Sequence, residues 1–182
     1  MQSFRVVIHP QEGITEGVTE AVAQALSLEL RAESVLGPAP AIPESAYSVR
    51  RRQYHAGRLL RGLTSTLGAD CSLALVTVDL FVKGLNFVFG VAQGTRCVVS
   101  TVRLLPEVHT VGSSSLFWRR VSVEAVHEVS HTRGLSHCLD PQCVMHYSNS
   151  VADTDRKGAG LCVRCKTLLV ASPATVLRGE QG

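Results

Sequence analysis

The chain has 182 residues, 45% of them hydrophobic, and a formal net charge of +3. That length suits one compact domain with a filled core. So small a charge excess, with only nine aromatics, excludes a dense basic surface interleaved with stacking rings, and a nucleic-acid partner with it. No apolar run reaches the ~18 residues of a membrane span, and the best stretch, 73–82, is interrupted by Asp79, so no membrane partner is expected.

Phe4 to Ile8 reads as a first buried strand, stopped by Pro10. This opening run lacks the length and flanks of a signal peptide, so a cytoplasmic location is expected. Thr15 is placed to cap a helix, with Glu16 and Glu20 near its positive end, and Val18, Val22, Leu26 and Leu30 recur at helical spacing. Ser34 to Leu36 suggests a short strand before the Pro-rich turn from Gly37 to Pro43. A second helix is expected from Pro43 or Ser48 to Leu67, with Leu59, Leu60 and Leu63 inward and Arg50, Arg51 and Arg52 on a solvated face. Leu73 to Leu80 is apolar on both faces, as a central strand is. Leu85 to Val91 and Arg96 to Leu104 follow as strands, separated by turns at Gly84 and Gly94. After a loop from Leu105 to Ser113, a further helix is expected, capped by Ser113, Ser114 or Ser115. A last short helix spans Cys165 to Ser172, and Gly179 to Gly182 should fray. Cys71 and Cys97 read as buried thiols, a disulfide being the alternative.

One segment carries the chemistry: His127-Glu-Val-Ser-His131-Thr-Arg-Gly134-Leu-Ser-His137. Helix positions four apart lie nearly one above the other, so His127 and His131 project from one face, about 6 Å apart at Cβ. That separation lets two imidazoles share one tetrahedral zinc. Glu128 sits beside the first ligand and reaches a water rather than the metal. Gly134 takes the left-handed conformation that ends helices at little steric cost. The turn brings His137 to the metal as third ligand and leaves a fourth position open, as catalytic zinc sites do. A surface helix carrying the short H-E-x-x-H run by chance would lack the glycine and third histidine at these offsets.

Cys138 and Cys143, then Cys162 and Cys165, form two close pairs separated by a loop, the layout of a structural zinc site. The alternative is two disulfides, disfavoured without a secretory context. Arg156, Lys157, Arg164 and Lys166 flank the ligands and would offset the negative charge of a zinc held by four thiolates. The segment from Leu139 to Leu161 reads as polar loop that such a zinc would order. Because Cys138 follows His137 directly, the second site would fix where His137 points.

H-E-x-x-H-x-x-G-x-x-H-C-x4-C-x-M followed by C-x-x-C resembles the archaemetzincin family of metzincin zinc metallopeptidases. The resemblance is concentrated from Val126 to Cys165. It implies an α/β (α+β) metzincin-like fold: a twisted mixed sheet with an antiparallel edge strand, packed helices, a zinc-binding active-site helix and a small C-terminal subdomain with a four-cysteine zinc site. We assign the edge strand to Leu85–Val91, and divide a single domain, 1–182, into an upper part (1–134) and a lower part (135–182). The resemblance also implies two zinc ions per chain, one catalytic on His127, His131 and His137, one structural on the four cysteines. Glu128 is then the general base that activates a zinc-bound water, and Met145 the methionine of the Met-turn. Tyr147, two residues later, either packs or donates to the transition state, as in the astacin branch. The function expected is hydrolysis of peptide bonds in a peptide or protein substrate by a monomer, an aminopeptidase-like action included. The alternative is a zinc-binding protein with a latent or blocked cleft that acts as a binding module.

Overall fold

The computed structural model describes residues 4–63, 68–107 and 112–171. Its frame is built on the run from Cys71 to Val76, whose six side chains are all buried. A strand buried on both faces needs cover on both sides of its sheet. The chain supplies that cover with β1 (Phe4–Pro10), α1 (Glu16–Leu30), β2 (Ala32–Leu36), β3 (Tyr47–Ser48), β4 (Gln53–His55), α2 (Ala56–Gly62), β5 (Cys71–Val76), β6 (Leu80–Phe81), β7 (Gly90–Gln93), β8 (Arg96–Ser100), α3 (Ser113–Thr132), α4 (Val151–Arg156) and α5 (Val163–Ala171). The main sheet runs β2-β1-β5-β8-β7, parallel throughout except for the edge strand β7, which is antiparallel to β8. β3, β4 and β6 form a second, small sheet.

On one face of the main sheet, Val18, Val22, Leu26 and Leu30 of α1 meet α3 and the inward side chains of β5 and β8. The same core takes in Leu135, Val144, Met145, Leu161 and Leu169 from the chain after α3. On the other face, Leu59, Leu60 and Leu63 pack against Ala74, Val76, Leu80 and Val98. Helix α3 is buried at every position from Arg120 to Ser130. A helix enclosed on all sides holds its side chains in single rotamers far better than one lying on a surface. Among the described residues, no helix is long and apolar enough to cross a membrane. Cys71 and Cys97 are buried free thiols with sulfurs 3.8 Å apart.

Several elements differ from the sequence-based expectation. The helix expected from Pro43 or Ser48 shrinks to α2, after a 3-10 turn at Glu44–Ala46 and the β3–β4 hairpin. Pairing of Tyr47 with Tyr54, and of β4 with β6, wins over local helix preference. Arg50, Arg51 and Arg52 therefore occupy a hairpin turn rather than a helix face, with Arg52 at φ 56. Leu67 lies outside the described residues. The strands expected to reach Leu80 and Leu104 end at Val76 and Ser100.

The strand assigned to Leu85–Val91 pairs regularly only from Gly90; before that, Val88 makes one isolated bridge to Leu80. The carbonyls of Leu85 and Asn86 are instead taken by side chains of Arg51 and Gln53, which leaves no ladder for them to join. Helix α3 starts without a serine cap: Gly112, at φ 89, holds that position, and the Ser115 hydroxyl donates to its carbonyl. Thr15 stands at the N-cap of α1 but its side chain makes no capping bond. The segment expected to be loop contains α4, started by a capping box between Ser150 and Asp153. Helix α5 begins two residues before the expected Cys165; Ser172 and Gly179–Gly182 lie outside the described residues.

Leu26 and Leu28 separate packing from propensity on one helix. Leu26→Ala should cost about 2–5 kcal/mol in urea denaturation, because Leu26 is fully buried. Leu28→Ala should stay within about 0.5 kcal/mol of wild type, because Leu28 is 73% exposed.

Candidate metal centre and cleft

Near the C-terminal end of α3, His127 and His131 stand one turn apart with their Nε2 atoms 3.1 Å from each other. Backbone carbonyls aim them. His127 Nδ1 lies 2.8 Å from the Val144 carbonyl, and His131 Nδ1 lies 2.6 Å from that of Leu135. A carbonyl only accepts, so each Nδ1 carries the ring proton and each Nε2 presents a lone pair. Two lone pairs this close repel unless a cation lies between them. Imidazoles sharing a tetrahedral zinc would place these nitrogens ~3.4 Å apart. The donor set therefore fits zinc.

Gly134, at φ 85, turns the chain out of α3 while its N–H bonds the His131 carbonyl at 3.0 Å. The turn carries His137 to within 5.3 Å of the His127 ring and 4.8 Å of the His131 ring, centroid to centroid. The metal-binding atoms of all three lie within 4.8 Å of one another. Burial, more than any other influence, pushes all three imidazoles below their usual range, and the charge of Lys157 adds to the effect. They are held neutral, the form that binds metal.

Glu128 is buried beneath β7. A Cβ at Gly90 would stand 2.5 Å from Glu128 Cγ, so the edge strand reaches the carboxylate only because position 90 has no side chain. Burial, then the neighbouring Glu124 carboxylate, raises the Glu128 carboxyl well above the usual range, and Lys157 opposes them. Met145 is fully buried, in the same loop as Val144. Tyr147 is 41% exposed, lines the cleft and turns its ring toward His137 at 5.0 Å. His146 faces away, with Nδ1 3.1 Å from the Cys138 carbonyl.

The sulfurs of Cys138, Cys143, Cys162 and Cys165 converge within 4.8 Å of one another. Cys138 and Cys162 sulfurs are 3.8 Å apart, where a disulfide would need ~2.05 Å. Four thiolates around zinc stand ~3.8 Å apart, so this donor set also fits the metal. The backbone N–H of Cys138 bonds the Met145 carbonyl at 2.9 Å, which ties the cysteine cluster to the loop behind the histidines.

Lys157, expected from the sequence to offset the cysteine site, is placed elsewhere. Lys157 is 1% exposed, with Nζ 3.1 Å from Glu124 Oε1; the same oxygen accepts from the Thr154 hydroxyl at 2.8 Å. Nζ also donates to the His146 carbonyl at 3.4 Å. Lys157 therefore serves α3 rather than offsetting the cysteine cluster. Arg156 and Lys166 are also paired elsewhere, with Asp153 and Glu29. The available signal was Glu124 itself, four residues before Glu128 on one helix face, since two buried carboxylates that close demand a cation. Spacing alone does not say which basic residue arrives.

The cleft above these groups has a volume of about 620 Å³. Segment 82–92 forms one wall, Tyr147, Ser148 and Asn149 face it, and Glu124, Glu128 and the three histidines lie between. Residues 42–171 match peptidase family M54. The chain belongs to that family, the archaemetzincins. It is 45% identical to the archaemetzincin of Methanopyrus kandleri over 131 residues, 70% of this chain and 72% of that one. Identity to the archaemetzincin of Archaeoglobus fulgidus is 41% over 136 residues, 74% of this chain and 79% of that one. The crystal structure of the Methanopyrus kandleri archaemetzincin superposes with a TM-score of 0.83 at 35% identity, covering 93% of this chain and 95% of that one. That of the Archaeoglobus fulgidus archaemetzincin, complexed with malonate, gives 0.78 at 36% identity, covering 90% and 98%. An archaemetzincin is a zinc metallopeptidase, and its substrates are peptides or proteins.

Removing one partner of a buried ion pair strands the other charge. Lys157→Met should destabilise the protein by about 3–5 kcal/mol in urea denaturation, and Glu124→Gln combined with it should recover most of that loss.

Proposed function

We propose that this chain hydrolyses peptide bonds with a catalytic zinc on His127, His131 and His137 and with Glu128 as general base. One observation carries the reading: two Nε2 lone pairs 3.1 Å apart, on rings whose Nδ1 protons are already committed to carbonyls. Zinc held there would supply Lewis acidity, polarising a peptide carbonyl and lowering the pKa of water from 15.7 toward ~7. Glu128 takes the proton of the attacking water on its carboxylate and delivers it to the leaving amine. Tyr147, on the cleft side of His137, donates a hydrogen bond to the oxyanion. Met145 packs in the Met-turn under the histidines.

Cys138, Cys143, Cys162 and Cys165 would hold a second, structural zinc, making two per chain, and the adjacent Cys138 would then fix His137. Substrate lies extended along the free edge of β7. We read the chain as one domain with an upper part, 1–134, and a lower part, 135–182, divided at Gly134. It acts as a cytoplasmic monomer with neither nucleic acid nor membrane as partner. An aminopeptidase-like preference for amino-terminal bonds belongs to the same reading.

Metal analysis and a peptide-library digest test it together. Wild type and Glu128→Ala should each carry two zincs, and the variant should lose turnover by about 10²–10⁴-fold. Turnover kept by Glu128→Ala would remove that residue from the mechanism. Digestion by neither zinc-loaded protein would leave a binding module in place of a peptidase. Cleavage confined to amino-terminal bonds would assign the aminopeptidase action.

A further inference from the structure

The cleft wall from Leu85 to Phe87 belongs to no strand, yet side chains hold it at many points. The Arg51 guanidinium donates to the carbonyls of Leu85 at 2.9 Å and Asn86 at 2.8 Å, and its Nε to Gln53 Oε1 at 3.0 Å. Gln53 Nε2 donates to the Asn86 carbonyl and to Asp79 Oδ2, both at 3.0 Å. Arg103 grips both oxygens of Asp79 at 2.7 Å and lies 4.3 Å over the Phe87 ring. The Arg51 guanidinium lies 4.5 Å over Phe81. Burial alone would raise the Asp79 carboxyl, but hydrogen bonds from Arg103 and Gln53 outweigh it and hold it below the usual range.

None of Arg51, Gln53, Asp79 and Arg103 lines the cleft. They act from behind it, bonded to one another and to the wall's carbonyls. The cleft lining on this side is mostly apolar, Leu85, Phe87, Val88, Phe89 and Val91, with Asn86 the polar exception and Phe89 rooted in the core. Phe87 and Phe89 meet edge to face at 5.2 Å. An isolated surface ion pair would contribute little. Bidentate geometry and hydrogen bonds to main-chain carbonyls make this group different, because they fix position as well as charge. A wall fixed before binding discriminates by shape, since no ordering cost is left for a ligand to meet.

We propose that Arg51, Gln53, Asp79 and Arg103 form a strut that fixes the Phe87–Phe89 wall, so that the cleft selects peptides with a bulky apolar side chain beside the scissile bond. Arg51 and Arg103 are thus positioning residues for substrate, Arg51 through the backbone of 85–86 and Arg103 through the Phe87 ring. This rests on the reading of the cleft as a peptide site.

The test uses pairs of extended peptides identical except for Phe or Ala at one central position, with the zinc-loaded full chain; where the library digest shows cleavage, that position is the one beside the scissile bond. Wild type should favour the Phe peptide. Arg51→Ala and Arg103→Ala should each cut the Phe-over-Ala ratio of kcat/KM about tenfold, through KM for the Phe peptide, with kcat for the Ala peptide kept. Arg103→Lys should behave like Arg103→Ala, because an ammonium does not reproduce the bidentate grip. Equal losses on both peptides, with the ratio kept, would mean a general structural role and overturn the proposal, as would a wild type indifferent to the Phe. Binding of both peptides, labelled, to zinc-loaded Glu128→Ala reads the same ratio without turnover. A Phe preference in binding that the arginine variants erase, with no cleavage by wild type, would keep the strut and sink the peptidase reading. Binding without preference would sink the strut alone. Should Arg103→Ala fail to fold, Arg51→Ala and Arg103→Lys carry the measurement.

Discussion

Two imidazole Nδ1 protons committed to carbonyls that lie outside α3 decide the geometry of the whole centre. The Val144 and Leu135 carbonyls come from the chain after the helix, so the histidines converge only once that chain has folded back. That return depends on Gly134, whose positive φ reverses direction within one turn of His131. It depends equally on the cysteine cluster, which holds the 138–145 loop by the Cys138–Met145 backbone bond and gathers sulfurs 24 residues apart in the chain. The two donor sets are therefore joined through one short loop: the Cys138 N–H bonds the Met145 carbonyl, and the neighbouring Val144 carbonyl holds the His127 ring.

Burial of α3 on every side brings an electrostatic demand with it. Glu124 and Glu128 lie one turn apart in a region almost without solvent. Two carboxylates this close and this buried repel each other, so the pair calls for a cation beside it. Lys157 meets that demand for Glu124, and its bond to the His146 carbonyl links the charge balance of the helix to the loop that carries Tyr147. Glu128 is left with its basicity raised by burial and with β7 pressed against it through the open space at Gly90. The same edge strand ends the sheet, so the carboxylate and the free backbone edge face one cleft.

Much of the fold was legible where one periodicity dominates. Val18, Val22, Leu26 and Leu30 repeat at helical spacing and all four are buried. The run from Cys71 to Val76 is apolar on both faces and is the central strand. Legibility failed where long-range contacts outbid local preference. Residues 47–55 pair as strands because Tyr54 and His55 find Leu80 and Phe81, partners some 26 positions away. Residues 85–89 stay irregular because Arg51 and Gln53 reach their carbonyls first. Ser150 and Asp153 did carry a helix start in their spacing, and α4 could have been read from them.

The sequence by itself determined which atoms could meet around a metal. Histidines four apart on a helix share a face, a glycine three residues on permits the turn, and a third histidine three further lies within reach; these follow from covalent geometry and helical pitch. It determined in the same way that four thiols would come as two close pairs. Only the tertiary structure decided that Lys157 would neutralise Glu124, that Gly90 would open the approach to Glu128, and that Arg51 and Arg103 would brace the cleft from behind. Those choices pair groups distant in the chain, where several candidates of equal chemistry exist, and packing alone selects among them.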